Sequence, residues 1–233
     1  MIKVVSFKIC PFVQRVTALL EAKNIPYEIS YISLSDKPQW FLDISPNGQV
    51  PVLITDSGTA LFESDAIVEY LDDIQAPLEA ELSAEQRAMN RAWSYQGVKN
   101  YLPQCAAMRS ADEVTLMERT DTLGAAFEKV SRALGDGPFF SGNNLNNVDI
   151  AWMTLLHRAD IIRRHTCYDF LEGYPKVKAW QRELMKTGIP EKSVASDFEE
   201  TFTNFYLSDR TFLGSGESCE STLDDECNAG TCC

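Results

Sequence analysis

The 233-residue chain is 45% hydrophobic and 24% charged, the balance of a globular protein long enough for one large or two small cores. Its formal net charge of −13 argues against a nucleic-acid binder, because a phosphate backbone needs a basic face. The same charge disfavours adsorption to an anionic membrane surface, yet it leaves room for a local basic pocket.

"IKVVSF" (2–7) is apolar and β-branched and reads as a buried strand. From Pro11 the period changes: Val13, Val16, Leu19 and Leu20 recur at helical spacing, with Pro11 where a first helical residue tolerates proline. "NIP" (24–26) closes that helix and "YEISYIS" (27–33) alternates as a second strand, giving a β-α-β crossover. "KPQWFLDISPNG" (37–48) holds a short helix, "VPVLIT" (50–55) and "TALF" (59–62) read as a hairpin around "DSG", and "ESDAIVEYLDDI" (63–74) is a helix with Ser64 as its expected N-cap. The order β-α-β then β-β-α is a thioredoxin-like layout, expected over residues 1–75.

After the linker-like stretch 75–83 the strand signals stop. Residues 83–105 read as one helix, with Ser83 and Gln86 at capping-box spacing. A second helix spans 113–134 and a third 146–162, where Asn146 and Asp149 form a variant of the same box. Helices over 174–187 and 196–207 complete an all-helical unit, expected at 83–212. Residues 213–233 are rich in glycine, serine and acids and read as a flexible tail.

The N-terminus lacks a small-residue cleavage site, and no apolar run approaches the roughly 20 residues that span a bilayer. The expectation is a soluble, cytoplasmic protein. Seven cysteines include Cys10, Cys105 and Cys167, too scattered for a disulfide framework, and Cys219, Cys227, Cys232 and Cys233 crowded at the end. That terminal spacing is not a usual zinc pattern. His157 and His165 lack paired metal-ligand spacing, so no metal is expected.

"CPFVQR" (10–15), "KPQWF" (37–41), "PNGQVPVL" (46–53) and "ESDAIVEYLDD" (63–73), followed by "NNVDIAWM" and "YPKVKAWQ", together resemble the cytosolic glutathione transferases, specifically the cysteine-type omega class and its bacterial relatives. The resemblance covers about residues 1–207. It implies a thioredoxin-like α/β domain followed by an all-α domain, with glutathione as co-substrate and a homodimer as the usual assembly.

A thiol is nucleophilic as its thiolate. Cys10 precedes a helix starting at Pro11, where unpaired N–H groups and the helix dipole favour an anion, so its pKa is expected below the free value. From position alone, Cys10 reads equally as a small buried hydrophobe. Val13 stands where a C-x-x-C motif would carry its second thiol, so a monothiol route through a mixed disulfide with glutathione follows.

By resemblance, Pro51 is cis and lets the backbone of Val50 pair with the cysteinyl part of glutathione, with Gln49 beside it. Ser64 holds the γ-glutamyl carboxylate at a helix N-terminus, and Glu63 is free to meet the α-amino group. Lys37 approaches the glycyl carboxylate and Phe12 packs beside the ligand. Trp180, Tyr101 and Tyr206 are assigned to a second-substrate cleft between the domains, which takes a small disulfide or electrophile. Read locally, each of these has a plainer role: an edge proline, an N-cap, a solvated lysine, core aromatics. The implied activity is glutathione-dependent thiol transfer or dehydroascorbate reduction. The alternatives are a non-catalytic binding or regulatory protein on the same fold, or a conjugating transferase that uses a hydroxyl such as Ser6 or Ser64.

Overall fold

The computed structural model describes residues 1–79 and 82–216. A four-stranded sheet in the order β2-β1-β3-β4 is built from β1 (Ile2–Ser6), β2 (Tyr27–Tyr31), β3 (Val52–Ile54) and β4 (Ala60–Phe62). Strands β1 and β2 run parallel on either side of helix α1 (Pro11–Ala22), while β3 is antiparallel to both β1 and β4. Side chains alternate across each strand. Val4 and Leu53 join the main core with Ile67 and Leu71 of α3 (Ser64–Ile74). Val5 and Val52 face the other way onto Phe41 of α2 (Gln39–Ile44). This is the thioredoxin-like arrangement expected from the sequence.

Helix α1 forms where its apolar period begins. Val16, Leu19 and Leu20 are fully buried, each contributing about 1.5–3 kcal/mol by leaving water. Pro11 opens the helix, and Asn24, with φ 53°, turns the chain out after it. Between α3 and the next helix the connection is pinned from below. The Lys23 ammonium, its side chain 1% exposed, lies 2.7 Å from an Asp72 carboxylate oxygen and donates to the carbonyls of Gln75 and Ala76.

The remainder is helical: α4 (Ala84–Lys99), α5 (Tyr101–Met108), α6 (Glu113–Ala133), α7 (Asn147–His165), α8 (Pro175–Lys186), α9 (Ile189–Lys192), α10 (Phe198–Tyr206) and α11 (Phe212–Ser215). The long α7 is the central helix, with Ile150, Ala151, Trp152 and Met153 among its buried residues. Both expected capping boxes are present, at Ser83/Gln86 and Asn146/Asp149.

Three expectations are corrected. The single helix over 83–105 is two, broken at Asn100, which closes α4 and opens α5. Pro103 explains the break: with no N–H to donate, it fits the first turn of a new helix but not the interior of an old one. Ser64 is not an N-cap but the first helical residue; Glu63 occupies the cap position at φ 67° and makes no side-chain capping bond. The tail does not begin at 213, since Leu213 is 2% exposed and the Phe212 N–H donates to the Ser110 carbonyl. The four terminal cysteines lie outside the described residues. Among the described residues, no helix is long and apolar enough to cross a membrane.

Candidate active site

Cys10 is the N-cap of α1, in extended conformation at φ −73° and ψ 122°, with Pro11 next. The Phe12 and Val13 N–H groups at the start of that helix lie on the side of its sulfur and favour the anion, although neither makes a side-chain capping hydrogen bond with it. The sulfur is nonetheless buried, with Cys10 6% exposed. Burial dominates and pushes the thiol up to about 11, against the two N–H groups and the more distant Arg158 guanidinium, which pull it down. The expected depression of this pKa is therefore corrected for the ligand-free chain: desolvation outweighs the helix terminus.

Cys10 forms part of the wall of a cavity of about 570 Å³. Phe12, Lys37, Gln49 and Val50 line it too, facing Tyr206 of α10. A smaller neighbouring cavity of about 170 Å³ is bounded by Phe12, Gln49, Val50, Pro51, Glu63 and Ser64, together with Asn47. Phe12, Gln49 and Val50 belong to both. The assigned residues Cys10, Phe12, Lys37, Gln49, Val50, Pro51, Glu63, Ser64 and Tyr206 thus surround two adjoining cavities that share a wall.

Local sequence explains the smaller cavity. The Val50–Pro51 peptide is cis. The loop before it is held by Ser45, whose hydroxyl donates to the Gln49 carbonyl at 2.9 Å and accepts from the Gln49 N–H at 3.0 Å. Ser64 is buried at the N-terminus of α3, and the Glu63 carboxylate accepts from the Asn47 amide at 3.2 Å. One residue on, Asp65 pairs with Arg15 of α1, a guanidinium almost wholly buried. This ion pair ties the N-termini of α1 and α3 together behind the two cavities.

Two assignments to the second-substrate cleft are corrected. Trp180 is 3% exposed; its ring lies 6.0 Å from those of Phe140 and Trp152, and its indole N–H donates to Asp149 at 2.7 Å. Tyr101 is fully buried, donating to the Ala151 carbonyl at 2.6 Å, with its ring 5.3 Å from that of Phe12. Each phenol or indole has found a partner inside, as buried tyrosine and tryptophan do. Only Tyr206 of that trio reaches the cavity. Its phenol is held protonated by burial and by the neighbouring Cys105.

The sequence did not point to Leu102, Cys105, Arg109 or Phe205, which line the opposite wall from α5 and α10. The break at Asn100 orients α5 apart from α4, so a continuous-helix reading cannot say which face looks inward. Both histidines have structural partners. His157 is buried, its Nδ1 2.8 Å from the Gln14 amide, and desolvation lowers it to about 3; His165 meets Glu199 at 2.6 Å. Among the described residues no group of three or more His, Cys, Asp or Glu side chains is arranged to hold a metal ion.

Comparison with known proteins gives the family and the fold. Residues 9–74 match the family described as "Glutathione S-transferase, N-terminal domain", and residues 112–182 match "Glutathione S-transferase, C-terminal domain". The chain is 33% identical to "Glutathione S-transferase DHAR2" of Arabidopsis thaliana over 67% of this chain and 70% of that one. It is 28% identical to "Glutathione S-transferase omega-1" of Rattus norvegicus over 95% and 90% of the two chains. Among solved structures, a rice glutathione transferase in complex with glutathione superposes with a TM-score of 0.73 at 24% identity, covering 88% of this chain and 98% of that one.

Proposed function

Because the chain belongs to the glutathione transferase family, we propose that it binds glutathione in the two cavities beside α1 and uses Cys10 for glutathione-dependent thiol transfer, with dehydroascorbate as a second candidate substrate. The observation that carries the reading is the adjacency of the two cavities, one walled by Cys10 and the other by Glu63 and Ser64, with Phe12, Gln49 and Val50 lining both.

In this reading the Ser64 N–H and hydroxyl receive the γ-glutamyl carboxylate, where a helix N-terminus favours an anion. Glu63 meets the α-amino group, Val50 pairs with the cysteinyl backbone beside Pro51, and Lys37 meets the glycyl carboxylate. The Cys10 sulfur attacks one sulfur of a disulfide; the other sulfur departs with the bonding electrons and takes up the proton. A glutathione thiolate then frees Cys10 from the mixed disulfide. Tyr206, Leu102 and Phe205 supply the far wall for a second substrate with an apolar part.

The reading includes a homodimer and a cytoplasmic setting. Exposed Phe62, Ile74 and Met89 offer apolar surface that self-association would bury.

Retention on immobilised glutathione together with hydroxyethyl disulfide reduction tests the proposal; failure of both overturns it. Retention without turnover selects a second reading, a binding protein on this fold, which the burial of Cys10 favours. Titration supplies a separate expected result. With the thiol raised to about 11, only about one Cys10 in ten thousand is ionised at pH 7. Thiolate appears as pH rises, so alkylation of Cys10 by iodoacetamide climbs about tenfold per pH unit from about 7 to 9 in the ligand-free protein. A rate already level at neutral pH would refute that burial controls this sulfur.

A further inference from the structure

The monothiol route uses one sulfur, but the larger cavity is lined by two. Cys105 lies one turn after Tyr101 on α5 and shares its face. The Tyr101 ring packs against Phe12, two residues beyond Cys10, so the first turns of α5 and α1 abut. Both cysteines are free, and a negative charge on Cys105 is felt at Cys10.

The groups around Cys105 are those a reacting sulfur needs. Tyr206 lies beside it in the same wall, close enough for the two groups to influence one another. Arg158 is completely buried, and the partners of its guanidinium are all neutral: the Gln14 side-chain oxygen and the carbonyls of Thr154 and Ile9. Its Nε has no hydrogen-bond partner. The groups whose negative charge would stabilise this cation are, in order, Cys105, Tyr206, Cys10 and Tyr101. A buried cation without a carboxylate partner is costly.

We propose that Cys105 is the resolving thiol of this cleft, attacking the mixed disulfide between Cys10 and glutathione. This rests on the thiol-transfer reading. The Cys105 sulfur bonds to the Cys10 sulfur, the bond from Cys10 to glutathione breaks, and glutathione leaves with the electron pair and the proton that Cys105 gave up. Two further glutathione molecules then reduce the Cys10–Cys105 disulfide and depart as oxidised glutathione. Resolution from the opposite wall lets the first step finish without a second glutathione entering an occupied cavity.

The test uses the full chain, as wild type, Cys105→Ala and Cys105→Ser, each mixed with stoichiometric oxidised glutathione, quenched by alkylation at intervals and mapped by mass spectrometry without reduction. In wild type a Cys10 adduct is expected to give way to a Cys10–Cys105 linked peptide with release of glutathione. In both variants the adduct should persist at least about tenfold longer. Equal adduct lifetimes in wild type and variants, or pairing of Cys10 with any other cysteine, would overturn the proposal while leaving thiol transfer intact. No adduct on Cys10 in any of the three proteins would overturn the thiol-transfer reading and this inference together.

Discussion

Cys10→Ser is expected to lower glutathione-dependent reduction of hydroxyethyl disulfide by at least about a thousandfold, to near the uncatalysed rate, because a serine oxygen cannot carry the disulfide intermediate. The substitution is small, and Cys10 makes no side-chain capping bond that serine would have to reproduce. The fold and the cavity holding Glu63 and Ser64 should therefore survive, and retention on immobilised glutathione should be unchanged. Conjugation of chlorodinitrobenzene, which needs only a hydrogen-bond donor to glutathione's own thiolate, should not fall in parallel. If disulfide reduction persists within a few-fold of wild type, Cys10 is a core residue and the chemistry lies elsewhere.

Asp149→Ala should be the most damaging single change to stability. The carboxylate is completely buried and accepts from the Phe140 N–H at 2.8 Å, the Asn146 N–H at 2.9 Å and the Trp180 indole at 2.7 Å. Alanine strands all three donors, and at about 1–3 kcal/mol for each unsatisfied group the loss is at least about 3 kcal/mol. Equilibrium urea unfolding measures it; a loss below about 1 kcal/mol would show that water replaces the carboxylate. Burial also raises this carboxyl from 3.8 to about 6, against those three donors. Between these values the folded chain holds a proton that the unfolded chain has released. The linked stability is thus full below about 4 and is lost as pH climbs through about 6. That component of the pH dependence should vanish in Asp149→Ala.

Much of the site could be read from sequence, for identifiable reasons. Cys10 and Pro11 mark a strand-to-helix junction, and such a junction places a side chain at the edge of a sheet. Pro51, Glu63 and Ser64 lie within short local segments whose geometry depends on few distant contacts. Two of the three second-substrate assignments failed because they depend on helix rotation. Tyr101 and Trp180 sit on helices with more than one apolar neighbour, and only packing decides whether such an aromatic faces a cleft or α7. Cys105 was visible as a scattered thiol, but the turn at Asn100 that brings it to face Cys10 had no clear sequence signal beyond Pro103. The raised thiol of Cys10 was likewise illegible. A helix N-terminus can be read from Pro11, whereas the depth of burial is set by tertiary packing that no local pattern encodes.

Glu63 combines φ 67° with ψ 120°, a backbone posture that glycine adopts freely and that costs other residues about 1–3 kcal/mol. The chain tolerates that tension and in return keeps a carboxylate at the cavity rim. Selection of random variants for heat resistance alone should therefore enrich Glu63→Gly, a hardier protein without that carboxylate. Endurance and the placement of a charge ask for different residues here, and the chain carries the charge.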